Sequence, residues 1–255
     1  MIDEYHKKII KEEFAKQSST LESSNIFTDA EITEKIKKAL EVNNQMTVLD
    51  LGCGPGILTS CIAPFSKTII GFDITPEMTA KAKLRCSTSK NAVFLIGDAE
   101  CLPFKDNSFD RIVTRLTLHH FMSIERVLSE MYRVLKVGGK AIIVDIISSE
   151  KKSEAEIHNA LEKIRDPSHV KMLPKSELLS LTKNSGFTII SEDAWVKQRY
   201  FDEWIHITSK NELSYSLGII MKVLAISGVS AGIDLEVEKS IIKFNHNWIM
   251  ITSIK

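Results

Sequence analysis

The 255-residue sequence has no surplus of charge: Lys and Arg total 33, and so do Asp and Glu. Nucleic-acid binders generally rely on clustered basic charge, so the balance offers no footprint for such a partner. Cysteine is sparse. Cys53, Cys61, Cys86 and Cys101 form no C-x-x-C pair and have no histidines nearby at ligand spacing, which predicts reduced, buried thiols and no metal. The leading MIDEYHKKIIKEEF is charged from its third residue and lacks the apolar core and small-residue cleavage site of a secretory signal. Long apolar runs are missing as well. The longest, LGIIMKVLAISGV from Leu217, is interrupted by Lys222 and is too short to span a bilayer. These absences predict a cytoplasmic protein with no stable membrane insertion and no nucleic-acid partner. Internal repeats, low-complexity segments and flexible linkers are also missing.

What is present is a full core. An apolar content of 44% over 255 residues suffices for one large domain, residues 1–255. Short apolar runs recur at 47–51, 68–73, 92–98, 110–115 and 140–147, separated by segments with helical period. In one of these, Ile124, Val127, Leu128, Met131, Val134 and Leu135 share a helical face, and KVGGK is expected to stop that helix. Strands alternating with helices predict an α/β fold with a doubly wound, mostly parallel sheet.

The stretch VLDLGCGPGILTS, 48–60, carries Gly52, Gly54 and Gly56 at the turn from a buried strand into a helix. Glycine there permits positive φ and close approach of a ligand to the backbone, and the amides opening the helix favour electron-rich groups. The G-x-G-x-G spacing departs from both the dinucleotide fingerprint and the phosphate loop, which argues against a pyrophosphate. In open α/β sheets, ligands bind beyond the strands' carboxyl ends, where the second and third strands deliver Asp73 and Asp98. Asp73 suits either a ribose diol or a cap on the helix starting near Pro76.

VLDLGCGPG, GFDITPEM, GDAECLPF, SFDRIVTRLTLHH and VLKVGGKAIIVD stand in an order and spacing that resembles the class I S-adenosylmethionine-dependent methyltransferases. The likeness is to the small-molecule group that includes ubiquinone and menaquinone biosynthesis enzymes. It covers about residues 10 to 195. It implies a Rossmann-like seven-stranded sheet with an antiparallel last strand, S-adenosylmethionine as cofactor, and a small-molecule methyl acceptor. It also implies backbone contacts to the cofactor from Gly52, Cys53 and Gly54, within the turn that Gly56 completes. Asp50 would sit near the methionine amino group, Asp73 on the ribose, and Ile74 and Met78 beside the adenine. Asp98 and the amide of Ala99 would meet the adenine edge, and a carbonyl around Arg115 the methionine ammonium. The leading segment, 1–45, would cover the cofactor with Phe14 and Gln17, or else be an ordinary amphipathic helix. Residues 46–195 would form the cofactor-binding core.

Methyl transfer from a sulfonium needs alignment and exclusion of water, and a base only if the acceptor must lose a proton. The candidates are His119, His120 and His169, each readable instead as a backbone-bonded or exposed histidine. Asp145 could bind substrate, accept a proton or cap the next segment. Residues 200–243 are too long for a hairpin loop and predict a helical lid, with Trp204, Tyr215, Ile219, Ile220, Met221 and Leu224 as possible apolar lining. These side chains could equally pack a core or a dimer contact, so monomer and homodimer both stand. A base-flipping methyltransferase would carry an Asn/Asp-Pro-Pro-aromatic motif where TRLTLHHF stands, and a non-catalytic cofactor-binding protein would keep the glycine turn alone.

Overall fold

The computed structural model describes residues 2–23, 29–208 and 213–255. Two helices lead, α1 (Ile2–Ser23) and α2 (Ala30–Leu40), followed by β1 (Thr47–Leu51), α3 (Ile57–Ile62), β2 (Thr68–Asp73), α4 (Pro76–Arg85) and β3 (Ala92–Ile96). The chain continues through β4 (Phe109–Arg115), α5 (Ile124–Val134), β5 (Leu135–Ile147), α6 (Lys152–Arg165), α7 (Lys175–Asn184) and β6 (Thr188–Tyr200). It closes with α8 (Phe201–Ile207), α9 (Ser214–Ser227), β7 (Glu236–Glu238) and β8 (Ile241–Ile254).

The strands form one sheet in the order β3-β2-β1-β4-β5-β8-β6, with short β7 on β8 as an eighth member. β1 to β5 pair in parallel, and β8 runs antiparallel between β5 and β6. The chain order reverses between β1 and β4, so the crevice at their carboxyl ends is the topological switch point.

Both faces are covered because the central strands are apolar on both sides. On one face α2 lays Ile32, Ile36 and Leu40 against Val48, Ile69, Val113 and Ile142. Asp29 caps that helix, accepting from the Ile32 amide at 3.1 Å. On the other, α5 buries Ile124, Val127, Leu128, Met131 and Val134 against Leu49, Ile112 and Ile143. Truncating a fully buried member such as Leu128 to Ala is worth about 2–5 kcal/mol.

Three expectations are corrected. α5 ends at Val134, and Leu135 passes directly into β5, so KVGGK lies within a strand and its glycines do not cap the helix. Residues 200–243, expected to form a helical lid, contain two helices but also β7 and the start of β8, because their last third pairs with the sheet. Among the cysteines, Cys53 and Cys86 are buried, whereas Cys101 is exposed.

Candidate active site

The glycine turn meets the sheet's switch point with its amides already engaged. The Gly52 and Cys53 N–H groups donate to the Phe72 carbonyl at 2.8 and 3.2 Å, and that of Gly54 donates to Asp73 Oδ2 at 2.8 Å. The bare backbone therefore serves close approach rather than anion capture. At Gly52 (φ 70°) a Cβ would fall 2.3 Å from the Thr117 side chain. At Gly54 (φ 50°) nothing lies within 4 Å of where a Cβ would stand, so this residue faces open space. Gly56 turns toward α4, away from the cleft wall, with its missing Cβ 2.8 Å from that of Ala82.

Two carboxylates flank the turn. Asp73 also accepts from the Thr75 amide at 2.9 Å, so it braces the entry to α4 as well as the glycine turn. Asp50 accepts from the Thr59 hydroxyl at 2.5 Å. Burial pushes the Asp50 carboxyl up to about 6 against the Thr59 bond, and burial also raises Asp73 despite its amide donors. Such a pair favours a cation or hydrogen-bond donors as ligand.

Around this end the cleft wall includes Ile74, Met78, Asp98, Ala99 and Arg115. Asp98 is held by Lys7 of α1 at 2.8 Å. The same helix brings Phe14 and Gln17 into the wall, and the Gln17 amide nitrogen is buried without a partner. Leu116, at φ 56°, is a buried non-glycine residue in the left-handed region, and it turns the chain directly after Arg115. The Arg115 carbonyl accepts from the Thr117 hydroxyl at 2.9 Å.

The three histidines cluster, with the rings of His119 and His120 4.2 Å apart and those of His119 and His169 5.7 Å apart. Their environments differ. Asp145 Oδ1 lies 2.5 Å from His119 Nδ1, while Oδ2 accepts from the Leu118 amide at 2.8 Å. Burial favours neutral His119, but the charge and hydrogen bond of Asp145 outweigh it and raise the pKa above 6.5. His120 Nδ1 is 3.1 Å from both Ser168 oxygens, its carbonyl faces His6 Nε2 at 3.2 Å, and Phe14 packs edge-on to its ring. Burial and charged His119 lower its pKa to about 4. His169 bonds Asn159 Oδ1 through Nε2 at 2.8 Å, and burial lowers it to about 2. Only the first two reach the cleft wall; His169 stands behind them.

Sequence reasoning missed Lys7, Ile10 and Leu21 on α1, Thr117, and Ile207, His246 and Trp248 from the carboxyl-terminal third. The helical period of α1 was the available signal for the first three. Of the side chains read as lid lining or core, Trp204 reaches the cleft, Met221 and Leu224 pack in a core with Leu217 and Phe244, and Tyr215, Ile219 and Ile220 are exposed.

Residues 49–143 match a methyltransferase-domain family. The chain is 31% identical over 194 residues to the uncharacterized methyltransferase YcgJ of Bacillus subtilis, covering 75% of this chain and 77% of that one. It belongs to the class I S-adenosylmethionine-dependent methyltransferases. Methyltransferase identity extends to the solved YcgJ structure, which superimposes with a TM-score of 0.80 at 29% identity, covering 88% of this chain and 97% of that one. Demethylmenaquinone methyltransferase of Chlorobaculum tepidum is 30% identical over 174 residues, 60% of this chain and 70% of that protein. The fold is shared with the Streptomyces coelicolor geranyl diphosphate C-methyltransferase, solved with S-adenosyl-L-homocysteine, at a TM-score of 0.61 and 12% identity over 88% and 78% of the two chains. The methyltransferase takes S-adenosylmethionine as cofactor and a small molecule as acceptor. The open face at Gly54, the carboxylate pair and the unpartnered Gln17 amide fit that cofactor's ribose and methionine groups. Among the described residues no helix is long and apolar enough to cross a membrane.

Proposed function

We propose that this methyltransferase alkylates a largely apolar, hydroxyl- or carbonyl-bearing metabolite held between His119 and the lid, with His119 as general base. The single observation that carries the reading is the cleft itself. Its wall is built both from the glycine turn and from side chains of the last quarter of the chain, so an acceptor can be held beside the cofactor. Asp50, Asp73 and Asp98 line this cleft together with His119, Trp204 and Trp248. The Trp248 indole N–H is buried without a partner and could donate to an acceptor oxygen.

S-adenosylmethionine supplies an activated methyl group when bound. The chain's own residues align the acceptor, exclude water and accept its proton. Asp145 fixes the His119 ring through Nδ1, which leaves Nε2 for the acceptor's hydroxyl or acidic carbon. His120 and His169 pack their rings beside His119 and are themselves held by Ser168 and Asn159.

A screen of aromatic and prenylated hydroxy- and keto-compounds with S-adenosylmethionine, read by mass spectrometry for a product heavier by one CH2, tests the substrate class. With a substrate in hand, His119→Gln is expected to slow single-turnover transfer by about 10²- to 10⁴-fold while leaving cofactor affinity near wild type. The wild-type kcat/KM is expected to rise with pH through an apparent pKa above 6.5, and Asp145→Asn to move that limb downward. Methylation confined to hydrophilic amines would defeat the substrate class, and unchanged His119→Gln kinetics the base.

A further inference from the structure

One cluster of buried ligating side chains is used by no step described above. α6 carries His158 and Glu162 four residues apart, on one helix face, and β8 places His246 opposite them. The three residues are 2%, 3% and 3% exposed. One ligating atom of each lies within 4.8 Å of the others. Neither ring nitrogen of His158 has a hydrogen-bond partner among the described residues, and His246 Nε2 stands 3.1 Å from Glu162 Oε1. Buried polar atoms are normally satisfied, so an imidazole with both nitrogens unmet calls for a partner.

We propose that His158, Glu162 and His246 form a site for one zinc-type divalent cation, independent of the methyl-acceptor reading. Zinc takes imidazole nitrogen and carboxylate oxygen at about 2.0–2.2 Å, which in tetrahedral geometry sets donors about 3.4 Å apart. The His246 and His158 nitrogens lie 3.1 and 3.9 Å from Glu162 Oε1, bracketing that spacing. Two nitrogens with one oxygen favour such a cation over magnesium or calcium, which prefer all-oxygen shells. Arg165 holds Glu162 Oε2 at 3.0 Å, and the Trp204 indole donates to Oε1 at 3.2 Å. These outer partners orient the carboxylate as a one-oxygen ligand.

The protonation states agree with this donor set. Burial keeps both imidazoles neutral, and Arg165 holds Glu162 ionised although burial opposes it. Because His246 and Arg165 also belong to the cleft wall, the cation would pin α6 to β8 behind Trp204. The rival arrangement is a metal-free core in which Arg165 alone neutralises Glu162.

Full-length protein stripped with a chelator is titrated with zinc chloride alone by calorimetry. One zinc per chain is expected. His158→Phe and Glu162→Gln should each weaken binding by about 100-fold or more, the share of one ligand among three. His206→Ala, which removes an exposed lid histidine, should bind like wild type. Zinc-edge X-ray absorption on the loaded wild type reads the ligands without any substitution, and two imidazoles with no sulfur are expected. Sulfur ligation, binding well below one per chain, or equal affinity in wild type and both ligand variants overturns the site.

Discussion

Asp73 accepts two amide hydrogen bonds and still has lone pairs facing the cleft, so its contribution to a ligand and to the turn can be separated by substitution. Two hydrogen bonds from ribose hydroxyls to a charged acceptor are worth about 3 to 6 kcal/mol before water compensates. Asp73→Ala is therefore expected to weaken S-adenosylmethionine binding by about 100-fold or more in calorimetry, with circular dichroism unchanged. Asp73→Asn, which retains one acceptor oxygen, should fall between the two. Asp50 makes a different prediction. Its carboxyl is raised to about 6 in the free protein. A cofactor ammonium beside it would favour the ionised form, so binding releases a proton below that pH. Affinity is expected to rise as pH increases toward 6 and then level off, and Asp50→Asn should flatten the profile. Calorimetry in two buffers of different ionisation enthalpy counts the proton directly.

At the scale of elements, what could be read in advance depended on how many neighbours fix a segment. β1 and β2 were legible to the residue because each is a short, mostly apolar run, closed by the Gly52 turn in β1 and by Asp73 in β2. The boundary of α5 was misread because Leu135 satisfies both the helical stripe and the strand pairing with Phe109, and the distant pairing won. α9 was open to two readings for a similar reason. Its apolar residues surround the helix, so periodicity could not say which face meets the cleft, and Leu217 and Met221 went to a core with Phe244. The site divides in the same way: turn residues were legible from local sequence, whereas His246 and Trp248 come from β8 by tertiary pairing alone. α1 presents Phe14 and Leu21 to Met78 of α4 and Ile207 of α8. The contact lays α1 along the cleft wall beside Met78, with the Lys7–Asp98 ion pair at 2.8 Å as a second tie. Phe14→Ala combined with Lys7→Ala is expected to raise cofactor dissociation rate and amide exchange within α1, while exchange in β1 and β4 stays slow. Stopped-flow release and hydrogen exchange with and without cofactor check both halves.

Across the whole molecule the buried histidines set an acid limit. His120 and His169 protonate near 4 and 2 when folded but at about 6.5 when unfolded. The unfolded chain thus binds their protons first, and each group costs stability as pH falls below 6.5. Asp50 works oppositely, because its raised carboxyl takes a proton in the folded state first, from about 6 downward. Two losses against one gain leave a net fall of about 2 kcal/mol between pH 6.5 and 5, before other groups contribute. Urea unfolding at the two pH values is expected to show it. His169→Gln, whose amide can still donate to Asn159, should remove most of the drop, about 1.6 of the 2 kcal/mol, and a flat wild-type profile would contradict the assignment.

The cleft wall is drawn from widely separated stretches of chain. The glycine turn, Asp73 and Asp98 come from residues 50–98, while Trp204, Ile207, His246 and Trp248 come from the last quarter. A gene exchange that replaced only that last quarter would remodel part of the cleft wall while leaving the glycine turn, Asp73 and His119 in place, provided β8 kept its pairing with β5 and β6. Chemical diversification of this scaffold is thus constrained by strand register rather than by the donor site.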